Sequence, residues 1–294
     1  MKQYSGSSRK SFKDGFTLIE LMVVAAVIMV LLTILSPTMH RAVARARQTK
    51  CLGNLRVQGI GMMGYTMERG YYPGASERST SGRVVAAWVT RSRHYIDGST
   101  HVFVCPSLPE EYRWTVRYGT GSAFASTDPY SRDVKELFYE PGELLIHSQV
   151  PFSYGYNDWG TFAAFGIGNR DFGLGGDLWG WPQTRTDQVV RPSEMIAVTD
   201  MRATGSWDHI ADPTNPWEVP AANHLGGTNV LMADGSAEWI EWNKLVHINK
   251  QQADGIAMRR RWNRDNEPHV NYGPSTCICE KCSPRGWWQV QTTR

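Results

Sequence analysis

The sequence predicts an α+β protein: one long N-terminal helix, membrane-spanning in its first half, followed by a globular head built on an antiparallel β-sheet. Three observations carry that expectation. Residues 16–35 form an apolar run whose only charged side chain is Glu20. The helical pattern continues beyond it to about Thr66, where Arg69-Gly70-Tyr71-Tyr72-Pro73-Gly74 supplies a stop. Downstream, short apolar runs punctuated by Gly, Pro, Asn and Asp replace the helical period.

As an α-helix, residues 16–35 reach about 30 Å, the thickness of a bilayer's hydrocarbon core. Thr17, Glu20 and Thr33 are the polar side chains in that run. A carboxylate at membrane depth costs about 2–3 kcal/mol unless something pairs with it. Glu20 is therefore either a functional group or a side chain snorkelling to the headgroups from the second turn of the span.

Residues 1–15 form a polar leader with Lys2, Arg9, Lys10 and Lys13 against Asp14 and no apolar core of its own. A secretory signal would place a small-x-small cleavage site after the apolar run, where this chain has Ser36-Pro37-Thr38 instead. The basic leader, Gly15 and then Phe16-Thr17-Leu18-Ile19-Glu20 resemble the type IV prepilin family of pilins and type II secretion pseudopilins. The resemblance implies a pilin-like lollipop, cut by a prepilin peptidase between Gly15 and Phe16 and N-methylated at Phe16. It also implies that Glu20 neutralises the charged amino terminus of a neighbouring subunit during fibre assembly. A buried carboxylate and a buried ammonium are each costly alone, and pairing them favours one register between subunits. Basic residues flank the span on both sides, with Arg41, Arg45, Arg47 and Lys50 following it, so charge does not orient it. The resemblance implies a single-pass protein of the bacterial inner membrane, leader in the cytoplasm and head outside, which an assembly platform extracts into a periplasmic or surface fibre.

On this reading the chain divides into a cleaved leader (1–15), the spanning half of the helix (16–36), its stalk half (37–67), a head (68–245) and a Cys-containing extension (246–294). All twelve Trp of the 294 residues lie at or after Trp88, which separates an aromatic-rich head from the helix before it. The net charge of +3 equals the contribution of the leader, so the remaining chain is neutral. That balance argues against a nucleic-acid partner. The basic residues between Arg41 and Lys50 read as a solvated or headgroup-facing helix surface. In the stalk, Leu52, Leu55, Gly59 and Met62 fall on one stripe. Gly53, Gly59, Gly61 and Gly64 each lower helix propensity by about 1 kcal/mol relative to Ala, so packing against the head must hold the stripe.

The clearest strands are 101–105, 194–199 and 228–233. The last is followed by Asp234-Gly235 and a second alternating run, 236–240, which predicts a hairpin closed by a type I′ turn. Gly166-x-Gly168 lacks the third glycine and the strand-to-helix setting of a phosphate loop.

His224, nine intervening residues and Asp234-Gly235 resemble the C-terminal element of a large subgroup of prepilin-like proteins abundant in planctomycete-type and related bacteria. Cys51-Leu52-Gly53-Asn54-Leu55-Arg56, Tyr71-Tyr72-Pro73, Phe103-Val104-Cys105-Pro106-Ser107, Ser153-Tyr154-Gly155-Tyr156-Asn157 and Arg191-Pro192-Ser193-Glu194 fit the same subgroup. The resemblance spans most of residues 10–245.

For His224 and Asp234 the structural reading leads: Asp234 serves its turn, and a histidine near the base of a hairpin bonds to backbone. No nucleophile with a partner base is identifiable, so no enzyme activity is expected. Asp200, Asp208, Asp212 and Asp234 offer oxygens to calcium, but their spacing matches no calcium loop. On the implied topology the five cysteines lie in a compartment that permits disulfides, and Cys51 with Cys105 is the expected pair, stapling the stalk to the head. Cys277, Cys279 and Cys282, with His269, either form a zinc site or hold one disulfide and a leftover thiol. No resident cofactor is expected.

The expected function is that of a structural subunit of a type IV pilus-like or type II secretion pseudopilus fibre. Its partners are the peptidase, other pilin or pseudopilin subunits, the membrane and the assembly platform. The alternative is a prepilin-anchored surface binding protein, adhesin-like, that displays aromatics such as Trp179-Gly180-Trp181 and Trp287-Trp288.

Overall fold

The computed structural model describes residues 16–78, 84–109, 152–159, 172–175, 183–202 and 209–271. The leader with Gly15, and Cys277, Cys279 and Cys282, lie outside them. The chain forms two units, divided between Val43 and Ala44. One helix, α1 (Leu18–Arg69), supplies the described part of the first unit and the opening element of the second.

In the first unit every described residue from 16 to 43 is exposed. The helix passes through Pro37 and is long and apolar enough to cross a membrane. Arg41, Arg45, Arg47 and Lys50, at and just beyond the unit boundary, are exposed as expected.

In the second unit α1 is buried on one face. Cys51, Leu55, Gln58, Met62 and Tyr65 recur at steps of three and four residues. The stripe is turned slightly from the expected one, since Leu52 is only half-buried and the polar Gln58 fully buried. Two glycines permit the close approach. A Cβ on Gly59 would sit 2.9 Å from the Gly235 carbonyl oxygen and from Leu231, and one on Gly61 only 2.5 Å from the Ser92 carbonyl oxygen. The helix ends at Gly70, in a left-handed conformation (φ 73°), whose N–H donates to Thr66 O at 2.9 Å.

A two-stranded ribbon, β1 (Ser76–Arg78) with β2 (Val84–Ala87), leads into a short helix, α2 (Trp88–Arg93). The expected strand at 101–105 is instead a single 3-10 turn, His101–Phe103, followed by a loop. The helix binds that loop: Asn54 Nδ2 donates to Val104 O at 3.0 Å and Gln58 Nε2 to Val102 O at 2.6 Å. Backbone groups that a strand would have satisfied are thus satisfied by side chains.

The main sheet has the order β5 (Ile210–Ala211), β3 (Tyr154–Asn157), β4 (Ile196–Asp200), β6 (Gly227–Met232), β7 (Ala237–Glu241). It is antiparallel except between β3 and β5, which run parallel, so the sheet is mixed rather than purely antiparallel. Successive residues face opposite sides. On one side, α1 packs with Trp88, Phe103, Tyr156 and Leu231 in a core where Trp88 and Tyr156 stack at 5.7 Å. On the other, Trp159, Val230, Trp242 and Trp262 form a second core.

That second core includes α3 (Trp242–Leu245) and α4 (Ala253–Trp262), so the described part of the C-terminal extension is integral to the head. Arg259, 1% exposed, fixes it by donating to the carbonyls of Pro268 (2.7 Å), Ile248 (3.2 Å) and His269 (3.1 Å) while lying over the Trp159 ring. Burial lowers its pKa to about 10, still charged at neutral pH.

The β6–β7 hairpin forms where expected, with a different turn. Its loop is Ala233-Asp234-Gly235, closed by Gly235 N–H to Met232 O at 3.0 Å and Met232 N–H to Ser236 O at 2.7 Å. Gly235 is left-handed (φ 87°) while Asp234 is not, so this is a three-residue loop with a glycine bulge and not a type I′ turn. The type I′ geometry occurs at the other end of β6. There His224 and Gly227 exchange both backbone hydrogen bonds (3.1 and 3.0 Å) around Leu225 (φ 52°) and Gly226 (φ 80°).

Candidate functional site

Two groups of residues carry chemistry. The first is at the start of α1, where Thr17 and Glu20 form a capping box. Glu20 Oε2 accepts from Thr17 N–H and from Thr17 Oγ1, both at 2.8 Å, and Glu20 N–H donates to Thr17 Oγ1 at 3.3 Å. The box satisfies orphan N–H groups of the first turn and holds the carboxylate back toward Phe16. Phe16 is 81% exposed, and the apolar side chains after it are exposed as well.

The second group lies on the α1 side of the sheet and was not legible as a unit. It joins Cys51 of α1, Cys105 of the loop after the 3-10 turn, Asp200 at the end of β4 and His224 at the start of the type I′ turn. All four are at most 2% exposed. Cys51 Sγ lies 3.5 Å from Cys105 Sγ and 3.2 Å from Asp200 Oδ1. His224 Nε2 lies 3.5 Å from Cys105 Sγ and 3.4 Å from Asp200 Oδ2. The four donor atoms all fall within 4.8 Å of one another.

Each element has a reason to present its side chain here. Cys51 begins the buried stripe of α1. Cys105 is delivered by the loop that Asn54 and Gln58 bind. Asp200 pairs with Tyr154 across β3 and β4, which puts both on one face of the sheet; Tyr154 Oη is 2.9 Å from Cys51 Sγ. Asp200 Oδ2 also accepts from Asn229 N–H at 2.7 Å. His224 is held by its turn and by Trp239, whose indole N–H donates to His224 O at 2.8 Å over the bare Gly227. Its Nδ1 lies 3.3 Å from Ser107 Oγ, which leaves Nε2 for the cluster.

The cluster is electrostatically poised. Burial drives the Cys51 thiol up strongly. The hydrogen bond from Cys51 outweighs burial at Cys105, with help from His224, and brings that thiol down to about 6. Burial opposes the His224 imidazolium, but Asp200 and Cys105 together overcome it and raise the group to about 10.

These findings correct two expectations. Cys51 and Cys105 meet as expected, but as two thiols rather than a disulfide. The His224 ring engages the cluster rather than backbone. Asp234 is a turn residue as expected, its Oδ1 accepting from Ser236 N–H (2.9 Å) and Oγ (2.6 Å). The aspartates weighed for calcium have separate roles: Asp200 joins the cluster, Asp212 Oδ1 accepts from Thr214 N–H and Oγ1, both at 2.6 Å, and Asp208 lies outside the described residues. His269 pairs with Asp265 at 2.7 Å and stacks on Phe172. Trp88, Trp159, Trp242 and Trp262 are buried, while Trp217 and Trp239 are exposed.

An exposed membrane-length helix headed by Thr17 and Glu20, followed by an α+β head, defines a membrane-anchored protein with a pilin-like plan. Residues 10–36 match the family model described as the prokaryotic N-terminal methylation motif. The match supports a type IV pilin-like protein, a pilin or pseudopilin processed at its N-terminus by a prepilin peptidase. Comparison with curated proteins and with solved structures gives no match.

Proposed function

We propose that this chain is a structural subunit of a type IV pilus-like or type II secretion pseudopilus fibre, cut between Gly15 and Phe16 and methylated at Phe16. The observation that carries the reading is the methylation motif over residues 10–36, at the head of an apolar helix whose residues 16–43 are all exposed. In the fibre those side chains pack against the same segments of neighbouring subunits, and Glu20 receives the ammonium group of an adjacent Phe16. The work is assembly, with no catalytic role and no nucleic-acid partner. The inner membrane holds the precursor by one span, with the head outside the cytoplasm, until the assembly platform extracts it. The His224-to-Asp234 spacing supports membership of the planctomycete-type subgroup.

The test is the intact mass and N-terminal sequence of the protein extracted from its own cells. A chain beginning at methylated Phe16 is expected. A chain still beginning at Met1 would reduce residues 16–35 to a plain anchor and overturn the fibre reading.

A further inference from the structure

Beyond fibre assembly, we propose that the head contains a structural zinc site whose ligands are Cys51 Sγ, Cys105 Sγ, His224 Nε2 and a carboxylate oxygen of Asp200. With bonds of about 2.3 Å to sulfur and about 2.0 Å to nitrogen or oxygen, the edges of such a tetrahedral site run from roughly 3.3 to 3.8 Å. The separations found are 3.5 Å between the sulfurs, 3.5 Å from Cys105 Sγ to His224 Nε2, 3.4 Å from His224 Nε2 to Asp200 Oδ2 and 3.2 Å from Cys51 Sγ to the other carboxylate oxygen, Asp200 Oδ1. These four separations lie near the tetrahedral edges, and all four donor atoms fall within 4.8 Å of one another, close enough for one small cation to draw them together.

The donor set selects the ion. Two thiolates and an imidazole favour a thiophilic cation over calcium or magnesium, which take oxygen donors, and a tetrahedral set of sulfur, nitrogen and oxygen suits zinc. The surroundings match as well. Ser107 Oγ meets His224 Nδ1 at 3.3 Å, and Asn229 N–H donates to Asp200 Oδ2 at 2.7 Å, the outer contacts that orient an imidazole and a carboxylate toward a metal. Two thiolates and a carboxylate packed together in a dry interior repel one another, and a dication neutralises two of their three charges. The dication displaces the thiol protons and the proton on His224 Nε2 on binding, releasing them to solvent.

The site is closed. The protein supplies four ligands and each ligand residue is at most 2% exposed, the arrangement of a structural rather than a catalytic metal. Its ligands come from α1, the 105 loop, β4 and the turn before β6, so the ion would cross-link four segments that are distant in sequence. It would do in the head what the expected disulfide was to do, and would keep both thiols from oxidation.

The experiment is metal analysis of the full-length protein purified in detergent without chelator. Three chains are compared: the unmodified one, Cys105→Ser, and a tail variant combining Cys277→Ser, Cys279→Ser and Cys282→Ser. The expected result is one zinc per chain in the first and the third and at least a tenfold loss in Cys105→Ser. Should Cys105→Ser fail to fold, cobalt exchange into the tail variant decides. Thiolate-to-cobalt charge transfer with strong tetrahedral visible bands is expected, and their absence overturns the site. A metal-free unmodified chain overturns it too, whether its mass is two hydrogens short, as a disulfide requires, or both thiols react with an alkylating reagent on unfolding. Zinc lost in the tail variant but kept in Cys105→Ser also overturns it.

Discussion

The two halves of α1 are one continuous helix with opposite fates. From 18 to 43 it is predominantly apolar and exposed throughout. From 44 to 69 it is much more polar, yet Gln58, Thr66 and Cys51 are buried. Burial here follows the partner and not the hydrophobicity of the segment. The second half has a sheet, a loop and a turn to pack on, and its polar groups bond to them, as Gln58 does to Val102 O. The first half has apolar side chains that must be covered by lipid or by other chains. One segment leaves its apolar side chains exposed, and the other is buried by contacts within its own chain.

The sharpest way to break that contrast is Glu20→Ala. If Glu20 pairs with a neighbouring amino terminus, its loss leaves an ammonium unpaired at about 3–5 kcal/mol, roughly a hundredfold or more in assembly. The subunit should vanish from the sheared fibre fraction while the thermal melting of the detergent-solubilised chain stays put. Normal incorporation of Glu20→Ala would end the pairing model.

Next in size is Trp262→Ala, which empties a fully buried site in the second core where the indole N–H donates to Leu245 O. A loss of about 3–5 kcal/mol is expected in denaturant unfolding of the head. Leu31→Ala, in the exposed half, should leave the same transition unmoved, and an equal loss in both would show the halves to be one folding unit.

Within the packed half, Gly59→Ala and Gly53→Ala should have opposite signs. The first drives a methyl into the Gly235 carbonyl and Leu231, at a cost of about 1–3 kcal/mol. The second meets nothing within 4 Å and should gain about 0.5–1 kcal/mol from helix propensity. Two losses would mean that the helix tolerates no added rigidity.

The smallest expected effect is at Leu225, 50% exposed and left-handed. A leucine there costs on the order of 1 kcal/mol, so Leu225→Asn should raise stability by somewhat less than that in the same unfolding assay. A loss would mean that the leucine side chain contributes packing that outweighs the strain.

Local features were legible because local physics governs them. An uninterrupted apolar run specifies a membrane-length helix. Gly70 specifies its end, and alternating runs around Asp234-Gly235 the β6–β7 hairpin, whereas the capping box of Thr17 and Glu20 at its start emerged only from the structure. The turn types were exchanged because backbone twist and closure, not the Asp-Gly pair, chose where both central residues take positive φ. The strand expected at 101–105 became a turn and loop because α1 side chains took the hydrogen bonds a neighbouring strand would have supplied.

The cluster of Cys51, Cys105, Asp200 and His224 belongs to the other category. Spacing tied His224 to Asp234, ten residues away, whereas its ring partner is Asp200, on a neighbouring strand, and Cys51 meets Asp200 across 149 residues. What residue order alone settles in this protein is where the chain enters and leaves each element, since hydrogen bonds and side-chain periods act over a few residues. Which buried donors share one point in space was decided only when the helix packed on the sheet, because that contact depends on faces and registers that no stretch of sequence contains.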